Sequence, residues 1–157
     1  MDLLMHLLPG LAVLACAAVY GADLFAALVL RSALSEVDDR TLTATMGRVH
    51  RYGDRRMPVP FAVSVVASAL TLVVALLTGR SGTAVASAVA VVALGAWLTV
   101  YLRVSAPINR VLTAAAEAGE ELPDARERQR RWDRVVPARL TLQGIAVAAL
   151  CTALALA

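Results

Sequence analysis

Four stretches of this chain, roughly 3–30, 58–79, 83–105 and 138–157, are long, apolar and almost free of charge. A hydrocarbon core of about 30 Å takes about 20 apolar residues per helical crossing, and each stretch meets or approaches that length. Lipid offers no partner to open backbone groups, so such segments cross as helices. The expected fold is therefore all-α: an integral membrane bundle of four antiparallel helices forming one domain over residues 1–157. Composition agrees, since 59% of residues are hydrophobic and mean hydropathy is +0.70, against about 45–50% apolar residues in soluble domains. Apart from Asp2, Asp23 and Arg80, every charge lies in or beside two long segments, 31–57 and 103–139.

Those two segments set the expected topology. All fifteen basic residues are arginine, with six in 31–57, eight in 103–139 and only Arg80 in the short "GRSG" link. An arginine excess marks cytoplasmic loops. Both chain ends are thus expected outside the plasma membrane, with about 31–57 and 106–137 cytoplasmic. The net charge of +3 is modest and the arginines alternate with acids, which argues against a nucleic-acid surface. The apolar N-terminal run carries Asp2 but no basic residue and continues through Leu30, so it reads as a span rather than a cleaved signal. Cys16 and Cys151 show no metal-ligand spacing and read as buried small residues.

Within 31–57, Ser35 or Asp38 can cap a helix whose apolar positions Leu42, Met46 and Val49 recur at helical spacing. This predicts an amphipathic helix at the cytoplasmic surface, interrupted at Gly53 and followed by Pro58 and Pro60 in the first turn of span two. The charged segment after span three is expected to break near Gly119 and Pro123. Ser64, Ser68 and Thr71 fall on one face of span two, a stripe that suits close helix packing. Small-residue faces would also suit the pairing of two copies.

The polar residues of the spans carry the functional reading. A carboxylate within a span is costly unless it faces the bundle interior or water, and Asp23 is the case in point, with Tyr20 one turn before it. His50 and Asp54 are four apart, a spacing that suits two metal ligands or an imidazole oriented by a carboxylate. Tyr101 and Asn109 flank the end of span three; Trp132, Arg139 and Gln143 open span four. Topology brings all of them to the cytoplasmic half, which predicts a pocket that is apolar above and polar below.

The chain resembles the anthrone oxygenase-like family of small four-span membrane proteins. The resemblance rests on "YGADLFAALVLRSAL" closing span one, "DDRTLTATMGRVHR" before span two, "PINRVL" after span three and "WDRVVPAR" before span four. It implies oxidation of a tricyclic anthrone by dioxygen without another cofactor. His50, oriented by Asp54, would be the base, with Asp23 the alternative, and Arg139 and Asn109 would stabilise the oxyanion. Tyr20, Tyr101, Trp132 and Gln143 would line the pocket, with Pro107 ending span three and turning Asn109 inward. The family often has His or Asn four residues after the tryptophan, where this chain has Val136. Two other readings use the same residues: a copper or iron oxidase with His50 and Asp54, joined by Asp23 or Tyr20, as ligands, and a non-enzymatic protein that binds a hydrophobic metabolite or a partner.

Overall fold

The computed structural model describes residues 2–157, and among them all regular structure is helical. Helix α1 (Asp2–Phe25) runs through a π-helical turn, Ala26–Leu30, into α2 (Arg31–Ser35). Helices α3 (Asp39–Arg56) and α4 (Pro58–Leu77) meet at Met57, α5 (Ser81–Val100) passes through a second π-helical turn, Tyr101–Ser105, into α6 (Ala106–Ala118), and α7 covers Ala125–Ala155. Four helical stretches are long and apolar enough to cross a membrane.

Local chemistry explains the boundaries. Asp38 caps α3, accepting from the Thr41 amide at 2.6 Å. Pro58 takes the first turn of α4, where an amide donor is not needed. The stops after α4 and α6 use Gly79 and Gly119, both at φ +70°, a conformation glycine adopts without strain. Arg126, at the start of α7, holds the Val37 carbonyl and Asp39 and so ties α7 to the α2–α3 turn.

Three helix boundaries differ from the sequence reading. Gly53 does not interrupt α3, which continues to Arg56; a glycine in mid-helix costs about 1 kcal/mol, a cost that burial of the opposite face outweighs. Pro107 does not end the helix of span three: the chain continues into α6, and the Ala106 amide donates back to the Tyr101 carbonyl five residues away. The widened turn carries the chain past a residue with no N–H to give. In the same way α7 runs through Pro137 and starts well before residue 138. The inward face of α3 differs too: Leu42, Thr43, Met46, Gly47 and His50 are buried, whereas Val49 is exposed.

α1 packs against α4 and α7, α5 against α4 and α7, and α3 against α6. Small residues, among them Ala12, Ala67, Ala90 and Ala146, form one core between the apolar helices and let their backbones approach. Ser64, Ser68 and Thr71 are buried there, with Ser68 and Thr71 donating to carbonyls one turn back in their own helix. A second core of bulkier side chains, including Leu34, Met46, Leu112 and Trp132, joins α2, α3, α6 and α7. Gly47 permits the closest approach: a Cβ there would stand 2.3 Å from the Leu112 carbonyl oxygen. The outer surface remains apolar, with Leu14 73% and Leu77 82% exposed, as a lipid-facing surface requires.

Candidate functional site

Between the two cores lies a cavity of about 190 Å³. Its wall is largely aliphatic and aromatic, with Val19, Ala26, Met46 and Phe61 among its residues. Both π-helical turns border it, through Ala26 and Leu30 on one side and Tyr101 on the other.

Five residues expected from sequence to do chemistry, Asp23, His50, Asp54, Asn109 and Arg139, line this one cavity, together with Tyr101 and Trp132. Gln143 stands behind Asp23 and reaches it by hydrogen bonding. Tyr20 is not brought in; the cavity face of α1 is Val19, Ala22 and Asp23, and Tyr20 is half-buried off that face.

The first polar network is closed except at Arg139 Nε. Arg139 Nη2 donates to Asp23 Oδ1 at 2.5 Å and Nη1 to Ser105 Oγ at 2.9 Å. The Gln143 amide is oriented by its neighbours: its nitrogen donates to Asp23 Oδ2 at 3.1 Å and its oxygen accepts from Trp97 Nε1 at 3.0 Å. Around the guanidinium stand three rings, with Trp132 at 5.0 Å, Trp97 at 5.2 Å and Tyr101 at 5.9 Å, a cation–π arrangement that favours the charge in a dry setting. Trp97 and Tyr101, four residues apart on one helix, lie parallel at 5.4 Å.

The second network is partly open. Asp54 Oδ1 accepts from the Tyr101 hydroxyl at 2.7 Å and from Asn109 Nδ2 at 2.8 Å. Asp54 therefore orients the tyrosine and the amide and makes no hydrogen bond to His50, contrary to the carboxylate–imidazole pair expected from their spacing. His50 is buried and packs on Trp132, ring centroids 5.5 Å apart. It belongs to α3, whose charged residues keep it outside the apolar spans. Burial pushes the imidazole down to about 4; the carboxylate of Asp54 opposes that shift and the charge of Arg139 adds to it. His50 is thus neutral at physiological pH.

Four residues on the cavity each carry a buried polar atom with no protein partner: His50 Nε2, Asn109 Oδ1, Trp132 Nε1 and Arg139 Nε. Buried polar groups are normally paired. The tryptophan and arginine nitrogens are donors, the amide oxygen is an acceptor, and a neutral imidazole nitrogen is one or the other by tautomer. Asn109 spends its amide hydrogens on Asp54 and Arg139 its terminal nitrogens on Asp23 and Ser105. The donors left for an oxyanion are therefore Arg139 Nε and Trp132 Nε1, and the Asn109 side chain presents an acceptor instead.

Among the described residues no three His, Cys, Asp or Glu side chains converge as a metal-binding group, so His50, Asp54 and Asp23 do not form one. Val136 is buried in the second core beside Trp132 rather than on the cavity. Sequence reasoning missed Trp97 and Ser105; the available signal was the Trp97–Tyr101 spacing at one helical turn, which places a second ring beside a residue already singled out. No protein-family model, curated protein or solved structure matches this chain, so its function is read from the cavity.

Proposed function

We propose that this chain is a plasma-membrane oxygenase of the anthrone oxygenase-like kind: an antiparallel four-helix bundle with both termini outside and its arginine-rich segments cytoplasmic, oxidising a flat, enolisable aromatic molecule with dioxygen. The observation that carries the reading is His50 Nε2, a buried imidazole nitrogen without a protein partner on the wall of an apolar cavity. A neutral imidazole has a lone pair that can accept a proton at physiological pH, and burial, which holds it down to about 4, makes it a weak base that gives the proton up again readily. The cavity volume of about 190 Å³ suits a compact ring system and lies below the ~300 Å³ at which drug-sized pockets begin.

In this reading His50 Nε2 takes a proton from the CH₂ carbon between two aryl rings. The electron pair delocalises onto the ring carbonyl, where Arg139 Nε and Trp132 Nε1 donate to the developing oxyanion. The carbanion then reduces dioxygen. One oxygen atom becomes the new carbonyl, and the other leaves as water with both hydrogens of the CH₂ group. Asp23 is already engaged with Arg139, so it holds the cation in place rather than acting as the base.

The test is quinone formation from a simple anthrone by the full chain in lipid nanodiscs, with oxygen uptake recorded and autoxidation subtracted. General-base catalysis contributes about 10²–10⁴-fold, and His50→Ala is expected to lose a factor in that range without loss of folding. Full turnover in His50→Ala would remove the base assignment. No acceleration by the wild type would leave a binding protein for hydrophobic metabolites.

A further inference from the structure

We propose that the cavity is loaded sideways from the bilayer, through a mouth between α1 and the α3–α4 junction, so that its ligands are molecules dissolved in the membrane. The inference rests on the reading of the cavity as a binding site, and adds to it the route and the phase from which ligand comes.

Three sides of the cavity are closed. The core of small residues, with Ala12, Ala67 and Ala146, packs one end, and the second core, with Leu34, Met46 and Leu112, packs the other. Along the polar wall Asp54 is clamped by Tyr101 and Asn109, and the ring of His50 rests on Trp132. Five lining residues are exposed: Leu98 on α5, at 36%, and, grouped on the other side, Ala22 on α1, Val49 on α3, and Met57 and Pro58 at the junction. The four in that group frame a lateral gap, because α1 packs on α4 and α7 while α3 packs on α6.

The α1 and α4 sides of the gap face hydrocarbon, while its α3 side, Val49 beside the exposed Arg48, lies at the edge of the apolar spans. Beyond Ala22, toward the charged end of the same helix, Phe25 and Leu28 are 57% and 67% exposed, and beside Pro58 the side chain of Val59 is also exposed. Large apolar side chains outside the mouth on both helices place its α1 and α4 sides within the lipid-covered belt. A molecule that partitions into that belt meets the mouth directly, whereas one confined to water has to pass the Asp54 clamp.

The test uses thiol accessibility in the full chain in nanodiscs, with Cys16→Ala and Cys151→Ala as background. Met46→Cys reports on the inner end of the cavity and Val49→Cys on the mouth, where substitution of an exposed side chain leaves the fold secure. N-phenylmaleimide, which enters the bilayer, is compared with its sulfonated counterpart, which stays in water. Met46→Cys is expected to react at least about tenfold faster with the lipid-soluble reagent, while Val49→Cys, beside the exposed Arg48, should react readily with it. Ala22→Phe should slow labelling of Met46→Cys by about another tenfold, an added barrier near 1.4 kcal/mol, while Leu14→Phe on the outer face of α1 should not. Equal labelling of Met46→Cys by the sulfonated reagent, an unreactive cavity thiol beside a reactive Val49→Cys, or indifference to Ala22→Phe would each overturn the lateral route. None of these readouts involves turnover. A chain that labels from the lipid side but oxidises no anthrone loses the proposed reaction and keeps its portal; one that turns over but labels equally from water loses the portal alone.

Discussion

Asp23 and Asp54 line the same cavity, and the difference between them separates what holds this bundle together from what is left to work. Asp23 lies in an apolar span, and its carboxylate is met by Arg139 and by Gln143, with the guanidinium enclosed by three aromatic rings. Asp54 lies in the charged helix α3, half-buried, and uses one oxygen to fix Tyr101 and Asn109. A charge inside a span persists when it is paired within the bundle. A charge at the edge of the span can leave neighbours unpaired, and it is beside Asp54 that His50 and Asn109 keep polar atoms without a protein partner.

The largest effect that would sharpen this contrast is on stability. Removing one member of a buried ion pair leaves the other uncompensated and costs about 3–5 kcal/mol. Arg139→Ala is expected to fall in that range by thermal unfolding in detergent. Asp23→Leu combined with Arg139→Met should recover much of the loss, since an apolar pair of similar volume carries no desolvation penalty. If Arg139→Ala unfolded no more easily than the wild type, the closed network would not be structural.

The next effect is on pH. His50 is held down to about 4 in the folded chain, against 6.5 for a free imidazole. Between those values the unfolded chain binds a proton that the folded chain does not, so stability falls as pH drops from 6.5 toward 4 and levels off below. The full difference is on the order of 3 kcal/mol. His50→Gln should flatten that part of the stability profile. Turnover in the proposed reaction would need the neutral imidazole, and should hold level from pH 8 to 6 and fall only as pH nears about 4.

A smaller effect tests how the open network is positioned. Gly47 brings α3 against α6, and Thr113 donates to its carbonyl at 3.1 Å. Gly47→Ala is expected to cost about 1–3 kcal/mol by overpacking and to reduce turnover beyond any loss of folded protein, because α3 carries His50 and Asp54 while α6 carries Asn109. Normal turnover in a folded Gly47→Ala chain would show that the α3–α6 spacing does not set the site.

What was legible in the sequence follows the same division. The membrane helices are written in long apolar runs, and the polar residues inside them attract attention because lipid makes each one costly. Asp23, Arg139 and Gln143 were visible for that reason, and they do converge. The pairing of Asp54 was not legible. Spacing at four residues put His50 and Asp54 on one face but carried no information on Tyr101 and Asn109, more than forty residues away along the chain, which bind the carboxylate instead. Helix ends were misread for a related reason. Gly53 and Pro107 are breakers in isolation, and only packing of the two long helices, together with a widened turn, carries the backbone through them.

The smallest effect is the one most able to break the comparison. Asp54→Asn removes a charge but keeps an oxygen acceptor for Tyr101 and Asn109, so stability should change by less than about 1 kcal/mol, the scale of a single net hydrogen bond. Its charge is the influence that opposes the depression of His50. Without it the imidazole should titrate at still lower pH, and the acid limb of the activity profile should move down while the plateau stays. Tyr101→Phe, which removes a donor and leaves the charge, should leave that limb where it is. If Asp54→Asn instead destabilised the chain as much as Arg139→Ala, both carboxylates would be structural.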